Sequence, residues 1–478
     1  MNTRQRLFRF LAAPLLFAAA FATLTAHAET IRVAIGTQDT TINCAAGGLV
    51  IRELHLLDKY LPHTGKYANV TFDVQWKDFS SGAPLTNEMV AGKLDFGAMA
   101  DFPGSLNGAA FQKAGRKSIF ITVLEGSIDG SGNGIVVPVG SPLHSIADLK
   151  GKTISVPFAS TSHGMLLRAI KAQGWNPDTD VNIITQAPEV AGSALKAGKI
   201  DAHADFVPFA DLFPYRGIAR KIYDGAQSHA PTFHGALVDA AYAQKYPEVV
   251  VAYLRAAIEA NRLIAEDPEK YSLLIEKVTG IEAPVDYLYH GPLGLQTRDL
   301  TWKPEYRQAV ATAIDTLKLL KKTDVNLDAN TFIDDRYIRE AFKESGLDYD
   351  DALKNYARQP LVANDALTGK PIRDFHAVTQ LWLAKEAHVR NYANPAEAFA
   401  ALAKIEQSGG KVRAVFVQDH DSGQKLFASD AWYVRDAHGD VTAFLQKAGA
   451  DAYAQHTSGA VVDYAAAKTS TAQAVAAR

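Results

Sequence analysis

From Thr30 onward, short runs of β-branched and other apolar residues alternate with longer stretches of helical periodicity, a pattern that predicts βαβ units around a parallel sheet. Strands are expected at Ile31–Ile35, Val70–Trp76, Asp95–Ala98, Ile119–Leu124 and Gly134–Pro138, with helices over Ile51–Tyr60 and Leu85–Gly92. A second βα series opens at Thr153–Pro157 and continues through Val181–Thr185. After Ala230-Pro231-Thr232 comes a strand at Ala236–Val238, then a long helix over Pro247–Ile264 and further helices to about Leu347. This order implies two α/β lobes, one of them discontinuous: 29–125 with 233–347, and 126–232. The pattern breaks around Ala357–Gly369, and 348–371 reads as a linker rich in turn-forming residues. A separate α+β unit follows over 372–465: a helix (Pro395–Ser408), a strand (Val412–Gln418), a turn at Asp421-Ser422-Gly423, a short segment to Tyr433-Val434, a helix (Thr442–Gly449) and a strand (Ala460–Tyr464). The Ala- and Thr-rich end, 466–478, has little to pack and reads as a frayed tail.

Composition adds the compartment. The 478 residues are 47% hydrophobic and 21% charged, which excludes a disordered or collagen-like chain. Residues 1–28 carry Arg4, Arg6 and Arg9, an apolar run from Phe10 to Ala22 and then Ala26-His27-Ala28, the three-part pattern of a cleaved secretory signal. That run is too short to span about 30 Å of hydrocarbon, so an exported, periplasmic protein is expected. Removing the three arginines would take the formal charge from −3 to −6, and no general attraction to nucleic acid or anionic membrane follows. The single cysteine, Cys44, forbids an intrachain disulfide and reads as a small core residue.

Enzyme signatures are scarce: His-Glu-x-x-His, Gly-x-Ser-x-Gly and paired-cysteine patterns are all missing. Gly151-Lys152-Thr153 precedes a strand and has Ile146 where a phosphate loop needs glycine, so it is not read as one. Three segments instead end in small hydroxyl or carboxylate residues directly before a helix. They are Phe79-Ser80-Ser81-Gly82, Asp101-Phe102-Pro103 and Ser160-Thr161-Ser162-His163-Gly164. Each is an N-cap by composition. Three such caps at the carboxyl ends of parallel strands suit a small oxyanion held by backbone amides and helix dipoles. His163, in the first turn of its helix, could add positive charge below its pKa.

These residues carry a resemblance. Trp76-Lys77-Asp78-Phe79-Ser80-Ser81-Gly82-Ala83, Val156-Pro157-Phe158-Ala159-Ser160-Thr161-Ser162-His163, and Ala230-Pro231-Thr232 followed by Tyr246-Pro247-Glu248-Val249-Val250 resemble the periplasmic taurine-, sulfonate- and nitrate-type binding proteins of ABC importers. Asp334-Asp335-Arg336-Tyr337 resembles that family's closing segment. The resemblance runs from about residue 30 to about 345 and implies a two-lobed, type II-like periplasmic binding protein fold that closes on its ligand. It implies further that Ser80, Ser81, Gly82, Ser160, Thr161, Ser162 and His163 line the cleft, with Asp101, Phe102, Asp205 and Phe206 beside them. Asp101 and Phe102 stand where taurine binders have small hydroxyl residues, and Phe206 replaces the family's tryptophan. Asp101 is expected to face a ligand amine, cap its own helix or hold a hydroxyl, and the two acidic positions, Asp101 and Asp205, lean toward a zwitterionic or cationic group on the ligand. Phe102 and Phe206 could sandwich the ligand's alkyl or aromatic portion.

The C-terminal unit resembles the nitrous oxide reductase copper-accessory proteins through Asp430-Ala431-Trp432-Tyr433-Val434, Thr442-Ala443-Phe444-Leu445 and Gly459-Ala460-Val461-Val462-Asp463-Tyr464. With no methionine after Met165 and no cysteine after Cys44, thioether-held copper(I) is not expected. The expectation is a monomeric solute-binding protein for a small organic sulfonate or similar oxyanion, partnered by an inner-membrane ABC permease, without catalysis, cofactor or metal. Two alternatives stand beside it. One is a periplasmic copper-handling accessory protein with a sensor-like front half. The other is an enzyme resembling the pyrimidine-precursor synthases of thiamine metabolism, whose cysteine-rich segment a one-cysteine chain cannot supply.

Overall fold

The computed structural model describes residues 29–298, 300–319, 326–356 and 360–469. The expected signal segment, 1–28, and residues 470–478 of the tail lie outside the described residues.

Strands β1 (Glu29–Thr37), β2 (Val70–Asp78), β3 (Phe96–Ala100) and β4 (Ser118–Ser127) belong to a first sheet. The chain then crosses to a second sheet of β5 (Gly134–Pro138), β6 (Thr153–Val156), β7 (Asn182–Thr185), β8 (Ala202–Asp205) and β9 (Ala219–Asp224), and returns to the first with β10 (Thr232–Asp239). The two five-stranded sheets have the orders β2-β1-β3-β10-β4 and β7-β6-β8-β5-β9. Neither is purely parallel, which corrects the periodicity reading. β10 runs antiparallel to β3 and β4, and β5 antiparallel to β8 and β9. β10 and β5 are the first strands after each crossing, and a chain that enters a sheet from the shared edge must run opposite to strands that end there.

The two crossings, 128–133 and 225–231, touch backbone to backbone. A Cβ on Gly225 would lie 2.1 Å from the Gly130 carbonyl oxygen, and one on Gly130, at φ +96°, 2.4 Å from the Ala230 carbonyl oxygen. No flexible side chain stands there to give way. Gly225→Ala is therefore expected to cost about 1–2 kcal/mol of stability by overpacking, read as a lowered denaturation midpoint at unchanged m-value. An unchanged midpoint would mean the crossings separate at no cost.

Helices cover the sheets much as the periodicity requires, with Pro247–Glu266 as the longest and Val249, Val250, Leu254 and Ala257 on its buried face. The helix expected over Ile51–Tyr60 is two, Leu49–Glu53 and Leu56–Tyr60, broken at His55, whose φ of 53° is left-handed. The break leaves Leu54 outside and brings Leu56 and Leu57 into the core. The expected linker opens with the helix Tyr349–Lys354, whose Tyr349 hydroxyl oxygen accepts from the buried Trp302 amide at 2.9 Å.

The appended unit has a sheet β12-β11-β13-β14 and a smaller one, β16-β15-β17. The strands are β11 (Thr379–Leu383), β12 (Arg390–Tyr392), β13 (Val412–Gln418), β14 (Lys425–Phe427), β15 (Trp432–Arg435), β16 (Val441–Phe444) and β17 (Ala460–Val462). The expected helix at Thr442–Gly449 is instead β16 followed by the helix Lys447–Thr457. β16 pairs along β15, with Trp432 opposite Phe444 and Val434 opposite Thr442, and that cross-strand pairing overrides the start of the helical pattern expected over Thr442–Gly449. Nor is the whole tail loose, since Ala467 packs in the core of this unit. The unit touches both halves of the front. The Tyr215 hydroxyl, beside the second sheet, donates to the Arg413 carbonyl at 3.0 Å, while Arg413 pairs with Glu276 at 3.2 Å and Gln380 donates to the Tyr287 hydroxyl at 3.2 Å on the helices that follow β10.

Candidate functional site

At the carboxyl ends of β1, β2, β3, β6, β7 and β8 a cleft of about 200 Å³ lies between the two sheets' helices. The first side contributes Gln38 and Thr41 after β1, Ser80, Ser81, Gly82 and Ala83 after β2, and Ala100 and Pro103 after β3. The second contributes Pro157, Phe158, Ala159, Ser160 and Thr161 after β6, Thr185 to Glu189 after β7, and Phe206 after β8. His234 of β10 completes the wall, because an antiparallel strand brings its amino end to the edge where its parallel neighbours end; His234 is paired with Ala100.

Four helices start at this cleft: Gly82–Val90, Asp101–Lys113, Thr161–Ala172 and Pro188–Lys196. First-turn amides have no partner within their own helix, and the aligned dipoles make this end positive. Ser81 caps the first of these helices by position, yet its side chain makes no capping hydrogen bond. Ser160 is used differently. Its hydroxyl donates to the Pro157 carbonyl at 2.6 Å, accepts from the His163 amide at 3.2 Å and lies 2.8 Å from the Ser162 hydroxyl, so it shapes the loop. Ala159 in that loop sits at φ 64°, a conformation a non-glycine residue holds only when its surroundings impose it. The Thr41 hydroxyl and the Gln186 side-chain oxygen are buried in the cleft wall with no hydrogen-bond partner among the described residues. Among the described residues lining the cleft, Glu189 is the only charged side chain, and it is exposed.

Of the sequence-derived candidates, Ser80, Ser81, Gly82, Ser160, Thr161 and Phe206 line the cleft. Asp101, Phe102, Ser162, His163 and Asp205 are close in sequence but turned inward. The Asp101 carboxylate accepts from the Phe102 amide at 2.6 Å inside its own helix turn, and burial pushes its pKa up to about 7 against the pull of that amide and of Arg168. Phe102 packs with Ala313 and Leu317. His163 lies flat on Phe158, ring centroids 4.7 Å apart, its Nδ1 accepts from the Ala159 amide at 3.3 Å, and the ring is buried and does not line the cleft. Asp205 is fully buried, its carboxylate 2.7 Å from His203 Nε2 and accepting from the Phe206 amide at 2.8 Å. Neither aspartate lines the cleft, and Phe206 lines it without Phe102 opposite. The sequence reading missed Gln38, Thr41, Gln186, Glu189 and His234. Thr40-Thr41 and Ala187-Pro188 follow strand ends and carried a usable signal; His234 needed the strand direction.

The copper-handling alternative finds no support. Among the described residues one group could hold a metal, Asp267, Glu269 and His388, which lies away from the strands that carry the resemblance to the copper-accessory proteins.

A sequence profile of the NMT1-like family matches residues 31–278. The taurine-binding periplasmic protein of Escherichia coli K12 is 28% identical over 257 residues, covering 52% of this chain and 77% of its own. The crystal structure of the periplasmic aliphatic sulphonate binding protein SsuA from Escherichia coli superposes with a TM-score of 0.52 at 25% identity, over 66% of this chain and 99% of its own. The periplasmic nitrate-binding protein NrtA from Synechocystis PCC 6803 shares the fold at a TM-score of 0.54 and 14% identity, over 69% of this chain and 92% of its own. The family match therefore covers both sheets of the front and ends before the appended unit.

Proposed function

Because the chain belongs to the NMT1-like family, we propose that it is the solute-capturing component of an ABC importer, closing two lobes on a small organic sulfonate or similar oxyanion. The observation that carries this reading is the convergence of four helix N-termini on a cleft whose wall is almost entirely neutral. A sulfonate is a monoanion whose oxygens only accept hydrogen bonds at physiological pH. Amides, hydroxyls and helix dipoles serve such a headgroup without a buried cation. Exposed Glu189 is the carboxylate available to the ammonium of a taurine-like ligand, the role the sequence had suggested for Asp101 or Asp205. The two crossings form the hinge. The protein carries out no chemistry, works in the periplasm, and delivers its ligand to an inner-membrane permease.

A thermal-shift series with taurine, alkyl and aryl sulfonates, sulfate and nitrate tests the reading. A ligand at a hundred times its Kd adds about 2.7 kcal/mol to the folded state and is expected to raise the transition by several degrees. No shift with any oxyanion would remove the proposal. Thr161→Val keeps shape but deletes the hydroxyl at the helix start, and is expected to weaken sulfonate binding about tenfold, roughly 1.4 kcal/mol, by isothermal titration. Wild-type affinity in that variant would place the headgroup elsewhere.

A further inference from the structure

Behind His234 lies a buried chain of polar groups that the binding reading does not use. His290, fully buried, has its Nε2 2.6 Å from Glu125 and its Nδ1 2.9 Å from Asp286. Burial alone would lower its pKa, but the two carboxylates overcome that and push it up to about 9, so the ring is an imidazolium with donors at both nitrogens. Arg298, also buried, donates to the His290 carbonyl and balances the second carboxylate. The Nε2–H of His290 is also directed at the Asn43 side-chain oxygen, 3.4 Å away, and the Asn43 amide nitrogen lies 3.3 Å from His234 Nδ1.

Each link in this chain constrains the next. An imidazolium N–H can face the oxygen of Asn43 but not its NH2 group, which fixes the amide flip. The NH2 group is then turned to His234 Nδ1, which must be a lone pair to receive it. Burial, and behind it the charge of His290, hold His234 far below its ordinary pKa, at about 3, so the ring is neutral and its one proton resides on Nε2. With Nδ1 engaged behind the wall, Nε2 is the nitrogen left to the cleft that His234 lines.

We propose that Asn43, oriented by His290, locks His234 as the Nε2–H tautomer, so that His234 is a specificity-determining donor for an acceptor oxygen of the bound headgroup and rejects a ligand that would place an N–H there. The inference rests on the proposed oxyanion reading of the cleft, but the tautomer is a property of the free protein. A chain of groups spanning the Ile42–Gly47 turn, β4, β10 and the helix Ala283–His290 serves to hold one ring in one protonation form.

The test is nitrogen NMR on protein with 15N-histidine, the His234 signals being those lost in His234→Gln. A pyridine-type Nδ1 and a pyrrole-type Nε2, unchanged from pH 5 to pH 8, are expected. A proton on Nδ1, or titration of the ring within that range, overturns the proposal. In parallel, His234→Met, which has no donor, is expected to bind alkanesulfonate at least tenfold more weakly. His234→Gln, whose amide can place an N–H near the same point, is expected to stay within threefold, with both variants melting within 2 °C of wild type. Equal affinity of His234→Met and wild type overturns the specificity role. If wild-type protein binds no oxyanion, the reading of the cleft fails separately, and the NMR result still decides the tautomer.

Discussion

Ser81→Asp is expected to abolish sulfonate binding while leaving the unliganded protein as stable as wild type or more so. Ser81 is the N-cap of the helix Gly82–Val90 and lines the cleft, and its hydroxyl makes no capping bond. Aspartate ranks with serine as a cap, and a carboxylate at a helix N-terminus gains about 0.3–1 kcal/mol from the dipole. The same charge, about 4–5 Å from a bound monoanion, repels it by about 3–4 kcal/mol at an effective dielectric of about 20. That corresponds to at least a hundredfold loss of affinity. Ser81→Asn is the control: it caps equally well, carries no charge, and is expected to stay within threefold. Calorimetric titration and thermal unfolding of both variants separate the two effects. Binding by Ser81→Asp within threefold of wild type would mean that no anionic group sits on this helix.

The second large effect lies where the appended unit meets the front. Lys425 of β14 is fully buried, its ammonium has no hydrogen-bond partner among the described residues, and it stands 4.2 Å from the centroid of the Tyr287 ring and 5.2 Å from that of Phe416. Burial lowers its pKa to about 7, only partly offset by Glu269. A lysine with a lowered folded-state pKa is bound to more protons in the unfolded chain. Its destabilisation is therefore complete below about pH 7 and fades as the pH rises toward the unfolded value near 10. Lys425→Met keeps the length and the ring contacts, and is expected to stabilise the protein at pH 7 by on the order of 3 kcal/mol, after the loss of a cation–π contact. At pH 9.5 the gain should shrink to a fraction of that. Scanning calorimetry at the two pH values decides it. A variant no more stable at pH 7, or one whose gain is equal at both, would show that a partner satisfies the ammonium.

How much of this was legible in the chain differs from residue to residue, for physical reasons. The strands Gly134–Pro138 and Val412–Gln418 and the start of the helix at Pro247 were readable because β-branched runs and a proline in the first turn act locally. Ser81 and Ser160 were readable as caps for the same reason. Local chemistry did not reveal which way a side chain turns once its helix is docked. Asp101 and Ser160 are both polar residues at helix starts, yet Asp101 points under the cleft toward Arg168 and Ser160 lines its wall.

The amino-acid sequence by itself determined the α/β class, the two-sheet front, the separate C-terminal unit and the anion-suited strand ends, because each follows from patterns within a dozen or so neighbouring residues. Only the tertiary structure decided that β10 and β5 run against their neighbours, and so that His234 reaches the cleft edge. It also decided that Glu125, Asn43 and His290 meet, and that Lys425 lies against Tyr287. Those outcomes depend on pairings between segments tens to hundreds of residues apart, whose partners are chosen by the burial and charge balance of the whole fold and leave no periodic trace in either segment.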